Sequence, residues 1–352
     1  MTPSLPRIAL TLGDIAGIGP ELVARAVTDP QVLAICQPVI VGHPEIIRRT
    51  LHALGISAAL TEIASLSEIS NGSETIFCWN PGQSNVLDVP LGRIDARAGR
   101  AAYDYLIGAT RGALSGVIDA LVTAPLSKAA LHAAGLNFPG HTEILAAECG
   151  SADVAMMLYL PPGDLVQNPF GLGVAHATLH TSIRSVPDLL TTQRIAETIE
   201  LLHGFLQSIG CTQPRIGVCA LNPHAGEEGI FGDEEFGVIA PAVAKAQKES
   251  MSPSINVVGP IPADALFRRA ASGAFDGVVA MYHDQGHIAL KLLGFDRAVN
   301  ITLGLPIVRT SPSHGTAFDI AGQGTALPDG FRTAIQMAVK LYADRQRMIR
   351  HG

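Results

Sequence analysis

Charge is scarce in this chain, and aromatic rings are scarcer. Of 352 residues, 16% are Asp, Glu, Lys or Arg and 5% are aromatic, with a single Trp, against 47% hydrophobic residues. That balance excludes a disordered chain. The net charge is −7 and no basic cluster is present, which excludes a nucleic-acid partner and leaves any anionic ligand to a few local cations. No apolar run approaches the ~20 residues of a membrane helix. The five cysteines (Cys36, Cys78, Cys149, Cys211, Cys219) are scattered, odd in number and without CxxC spacing. They read as reduced thiols of a cytoplasmic protein. Met1 to Pro6 shows none of the basic, apolar and small-residue series of a signal peptide.

What is present is an alternation of apolar runs and helical patterns. The length suggests two domains, although no stretch stands out as a linker between them. Strands are expected at 7–12, 38–41, 75–79 (at a sheet edge), 121–123, 154–160, 174–178, 215–221, 255–258, 277–281, 298–303 and 307–310. Helices are expected between most of them, with a loop over Pro161 to Leu172 as a surface excursion. This is an α/β chain with mostly parallel sheets.

The organising stretch is Val278-Val279-Ala280-Met281-Tyr282-His283-Asp284-Gln285-Gly286-His287. An apolar strand stops at a polar cluster, the place where parallel α/β proteins put their chemistry. His283 beside Asp284 supplies a metal ligand, a proton carrier or an orienting carboxylate; a loop histidine satisfied by hydrogen bonds is the plain alternative. His180 and His224 stand at equivalent places, a few residues beyond other apolar strands. Three convergent imidazoles suit a divalent cation such as Zn²⁺, Co²⁺ or Mn²⁺. Lys291, Asn300 and Arg309 suit an anionic substrate, or else structural pairing. The loop Gly13 to Gly19 joins a strand to a helix but is neither GxGxxG nor GxxxxGK[ST]. Pro139-Gly140-His141-Thr142-Glu143 opens a helix, as an anion site or a simple cap.

Together these residues resemble one family. Gly13-Asp14-Ile15-Ala16-Gly17-Ile18-Gly19-Pro20-Glu21, Gly140-His141-Thr142-Glu143, Asn222-Pro223-His224-Ala225-Gly226-Glu227, Pro262-Ala263-Asp264, Tyr282-His283-Asp284-Gln285-Gly286, Asn300-Ile301-Thr302-Leu303-Gly304-Leu305-Pro306 and His314-Gly315-Thr316-Ala317 are similar, in order, to the 4-hydroxythreonine-4-phosphate dehydrogenases of vitamin B6 synthesis. The resemblance implies two α/β/α lobes with a cleft between them, similar to the isocitrate and isopropylmalate dehydrogenases. Lobe one is expected over 1–128 plus 305–352 and lobe two over 129–304. It implies NAD- or NADP-dependent oxidation of 4-phosphooxy-L-threonine with decarboxylation to 3-amino-2-oxopropyl phosphate. It also implies a divalent metal (Zn²⁺, Mg²⁺ or Co²⁺) on His180, His224 and His283, shared across a homodimer interface.

His141, Thr142, Lys291, Asn300 and Arg309 match the family's substrate positions. Gly315, Thr316, Asp319 and Gly322 match the loop that holds the nucleotide's adenosine end. Asp264, Asp284 and Lys291 are the catalytic candidates, with the two aspartates left open between proton transfer and orienting an imidazole. The chain departs from the pattern at Ser313, where many members carry Asp, at Ile15 and Ala289, where Pro is usual or frequent, and in the length of the 161–172 loop. The alternatives are a dehydrogenase of 4-phospho-D-threonate or D-erythronate, a non-catalytic metal- or sugar-acid-binding protein, and a metal-dependent hydrolase.

Overall fold

The computed structural model describes residues 5–70, 75–249 and 255–351. Met1 to Ser4, part of the stretch read above for a signal-peptide pattern, lie outside the described residues. The strands in chain order are β1 (Arg7–Thr11), β2 (Gln37–Val41), β3 (Leu60–Ile63), β4 (Ile76–Trp79), β5 (Ala120–Thr123), β6 (Ala155–Leu160), β7 (Leu172–His176), β8 (Arg215–Cys219), β9 (Asn256–Ile261), β10 (Gly277–Ala280), β11 (Val299–Leu303) and β12 (Arg309–Pro312).

The chain divides into two compact units, Met1–Ala152 with Leu305–Ala343 and Asp153–Gly304 with Asp344–Gly352. The first unit runs past the expected limit at 128. The helices Lys128–Ala133 and His141–Cys149 pack on the helix Ala96–Leu114, with Leu131, Ile144 and Leu145 joining Leu106 and Ile107 in one cluster.

In the first unit the strand order is β3-β4-β2-β1-β5-β12, and the pairings are parallel. Ile8, Leu10, Val39, Ile40 and Leu121 are fully buried, as expected where helices cover both faces of a sheet. β4 was expected at the edge but lies between β2 and β3. The true edge strand, Leu60-Thr61-Glu62-Ile63, has two outward polar residues and is partly exposed, so it carries no apolar run to mark it. The helix Gly19–Ala26 starts with Pro20 in its first turn, where a missing N–H costs nothing. Ser127 caps the helix Lys128–Ala133, accepting the Ala130 N–H.

The second unit has the order β11-β6-β7-β10-β8-β9, parallel except for β6, which pairs antiparallel on both sides. Leu158, Leu172, Val174, Leu266, Val278 and Leu290 form its core. The 161–172 loop is not the free surface excursion expected. Val166 and Asn168 are buried, and the Asn168 amide donates to the Asp276 carboxylate and to the Phe275 carbonyl. Leu172 already belongs to β7.

Candidate active site

β7, β10 and β8 lie side by side and parallel, so their carboxyl ends share one edge. Thr178 donates to the Met281 carbonyl at 2.7 Å, joining the ends of β7 and β10. Gln285 accepts the Met281 N–H at 2.7 Å and donates to the Ala220 carbonyl at 2.8 Å, joining β10 to β8. Beyond these ends stand His180, His283 and His224.

The structure brings two of the three together. The His180 and His283 rings are 6.1 Å apart between centroids. His283 Nδ1 faces Asp284 Oδ1 at 2.6 Å, which fixes the ring's tautomer and directs Nε2 away from that contact. That contact supports the orienting role for Asp284. His224 goes elsewhere: it is exposed, with its ring 6.3 Å from that of Phe231. Among the described residues, no three His, Cys, Asp or Glu side chains of one chain are placed to hold a metal ion.

The cause is a left-handed turn. His224, Ala225, Gly226, Glu227 and Glu228 all have positive φ, from 41° to 81°. Non-glycine residues resist that region, at a cost of about 1–2 kcal/mol each. Buried Glu235 holds the turn's entry, accepting the N–H groups of Leu221 and Asn222 at 2.8 Å each. Such strain persists where surrounding contacts over-determine it, and it concentrates at functional sites.

His283 has further neighbours that the sequence reading did not assign. His287, one helical turn on, stacks on it at 3.7 Å and 11°. Its Nδ1 lies 3.2 Å from Nε2 of buried His176. Burial pushes His176 down to about 4 and His287 to about 3, the latter helped by His176 itself. The i, i+4 spacing of His283 and His287 was the available signal for one of them. Nothing in an apolar strand announced the other. Asp264 is exposed in the first turn of the helix Ala263–Ala271. Lys291 sets its ammonium 5.3 Å from the Phe295 ring, and Asn300 buries Oδ1 without a hydrogen-bond partner.

The first unit gathers its own set. Arg309 is 2% exposed and donates through Nε and Nη2 to the Thr123 hydroxyl at 3.2 and 2.6 Å. Burial lowers its guanidinium to about 9, opposed by the Glu143 carboxyl. His141, in the first turn of its helix beside Thr142, is held well below the usual imidazole range by burial and by Arg309. Glu143 Oε2 is buried with no hydrogen-bond partner.

In the same unit the first Gly loop docks on the later one. The Ile18 N–H donates to the Thr316 carbonyl at 3.0 Å, and the Gly322 N–H donates to buried Glu21 at 2.7 Å. A cavity of about 300 Å³ opens beside them, lined by Ile15, Gly17, Glu21, Ile46, Thr50 and Gly322 among others. Gly315 and Asp319 are exposed, with Thr316 partly buried between them. Asp14, inside the first loop, is fully buried. It accepts the Ala16 N–H with Oδ1, leaves Oδ2 unpartnered, and is raised to about 6 by burial.

These features define an α/β protein with polar groups gathered at the carboxyl ends of its parallel strands. The chain belongs to the PdxA family, described as "Pyridoxal phosphate biosynthetic protein PdxA", whose pattern matches residues 34–338. It is 42% identical to a 4-hydroxythreonine-4-phosphate dehydrogenase of Geobacter metallireducens, over 97% of each chain. It is 43% identical to a D-threonate 4-phosphate dehydrogenase of Salmonella typhimurium, over 95% of this chain and 98% of that one. The crystal structure of a 4-hydroxythreonine-4-phosphate dehydrogenase from Klebsiella pneumoniae superposes with a TM-score of 0.82 at 41% identity, covering 97% of this chain and all of that one. The fold is thus that of the isocitrate dehydrogenase-like enzymes. No helix among the described residues is long and apolar enough to cross a membrane.

Proposed function

We propose that this dehydrogenase oxidises the C3 hydroxyl of 4-phosphooxy-L-threonine and that the resulting β-keto acid loses CO₂, giving 3-amino-2-oxopropyl phosphate. A dehydrogenase of this family implies a nicotinamide cofactor, and either NAD or NADP is the hydride acceptor. The cofactor's adenosine end lies against Gly315, Thr316, Asp319 and Gly322, with the adjoining cavity taking its apolar parts. His141, Thr142, Lys291, Asn300 and Arg309 hold the substrate. Arg309, oriented by Thr123, is suited to a carboxylate or phosphate through its planar fork. Neutral His141 offers a hydrogen bond without adding charge.

The observation that carries the substrate choice is Glu143 Oε2, buried and unpartnered next to His141 and Thr142. A buried acceptor of this kind costs stability unless a ligand donor reaches it. The C2 ammonium of the threonine substrate is such a donor.

His180 and His283 fit two ligands of one divalent cation, with Asp284 fixing the tautomer of His283. His224 of a second copy is the third ligand in this reading. An exposed apolar set on the same unit, Ile183, Ile230, Phe231, Phe236, Ile288 and Leu292, supports pairing with that copy. Such an ion, when bound, acts as a Lewis acid on the substrate's oxygens. Asp284 orients His283; Asp264 and Lys291 remain the proposed proton carriers.

The test is NADH or NADPH formation from 4-phosphooxy-L-threonine, 4-phospho-D-threonate and 4-phospho-D-erythronate, each with and without chelator. The reading predicts preference for the amino substrate, dependence on metal, and a selective fall of ~10–100-fold in kcat/KM for that substrate in Glu143→Gln. Preference for the threonate, the acid named for the Salmonella relative, would overturn the substrate choice.

A further inference from the structure

His287 stacks on His283 and is itself backed by His176, and the proposed chemistry leaves His287 and His176 unused. His176 ends β7, fully buried, with Nδ1 3.3 Å from the Met156 carbonyl. A carbonyl only accepts, so Nδ1 carries the hydrogen and Nε2 is a bare acceptor. His287 Nδ1 stands 3.2 Å from that acceptor and 3.1 Å from the His283 carbonyl. Its hydrogen is therefore shared between the two, and its ring lies flat beneath that of His283. The space is fitted to the pair: a Cβ on Gly286 would meet His176 Nε2 at 2.4 Å. Glycine at 286 is what lets His176 reach the helix.

We propose that His176 and His287 are positioning residues that lock the ring and backbone of His283 for cation binding. His287 bonds the first turn of the helix His283–Gly294 and supports the ring from below, while His176 fixes which nitrogen of His287 is the donor. With Asp284 on Nδ1, His283 is then constrained from two sides. The inference rests on the metal reading given above. It adds that the metal's affinity is set from inside the core, through β7.

The experiment measures binding of Co²⁺ alone to the full chain, by competition with a chelator, together with the visible spectrum of the bound ion. His287→Leu and His176→Leu are each expected to weaken Co²⁺ by ~10–100-fold and to alter the spectrum. His176→Gln keeps an acceptor for His287 and restores most of the affinity. His287→Asn keeps the donor but loses the ring, and restores part. If a Leu variant is poorly folded, the Gln and Asn variants, close to isosteric, still carry the comparison. Leucine variants that bind Co²⁺ with the parent's affinity and spectrum, while His283→Ala does not bind it, would overturn the positioning role alone. Parent-like binding by His283→Ala would overturn the metal reading and this inference with it.

Discussion

The Glu235 carboxylate grips Asn222 twice, accepting its backbone N–H at 2.8 Å with one oxygen and its side-chain amide at 3.0 Å with the other. It accepts the Leu221 N–H as well. Three donors on one buried carboxylate fix the chain where it enters the left-handed turn that presents His224. Glu235→Ala takes the acceptor from the part-buried Leu221 and Asn222 backbone N–H groups, at about 1–3 kcal/mol, while the Asn222 amide keeps Glu234 Oε2 at 2.6 Å. The expected outcome is a lower Tm and a loss of metal-dependent turnover as great as that of His224→Ala. Wild-type turnover in a folded Glu235→Ala protein would show that the clamp does not govern His224.

Gly17 presents the first Gly loop to the second. A Cβ there would meet the Thr316 carbonyl oxygen at 2.6 Å, a backbone atom that cannot swing away. Gly17→Ala is expected to push the Thr316 segment outward and raise KM for the nicotinamide cofactor by ~10-fold, with a smaller effect on kcat. Steady-state kinetics against cofactor, at saturating substrate, check this. An unchanged cofactor KM would contradict the assignment of this loop to the nucleotide.

Asp14 gives a pH dependence with a definite sign. Its folded pKa of about 6 lies above the ordinary value of 3.8, because burial disfavours the charged form. The folded chain therefore holds this proton more tightly than the unfolded chain. Stability is kept below about pH 4 and falls as pH rises through about 6, by about 2–3 kcal/mol. Asp14→Asn retains an acceptor for the Ala16 N–H and never ionises. It is expected to match the parent in Tm at pH 4 and exceed it at pH 8. A variant less stable than the parent at pH 8 would contradict this account of the loop.

Much of this arrangement was legible in the sequence, and the reasons are specific. Ile8-Ala9-Leu10 and Val278-Val279-Ala280 are buried on both faces, so they read as continuous apolar runs. The polar residues that follow such runs marked the strand ends where His180, His224 and His283 stand. Leu60 to Ile63 was missed because an exposed edge strand needs no such run. The Asn168 anchor was missed because its partner, Asp276, is 108 residues away. The divergence of His224 was not legible because the left-handed turn is held by a glutamate well along the chain, and only Gly226 and Gly229 hinted at it. His176 was silent because a histidine in a fully buried strand shows its purpose only through what packs against it.

The central claim is that one catalytic centre uses His180 and His283 of one chain with His224 of another. It is tested most directly by heterodimers purified with two different tags. A heterodimer with His224→Ala in one chain and His283→Ala in the other keeps one intact centre, so roughly half the parent's turnover per dimer is expected. A heterodimer of wild type with a chain carrying both substitutions keeps none, and should be inactive. The reverse result, an inactive first heterodimer and a half-active second, would place all three histidines' function within one chain and contradict the account.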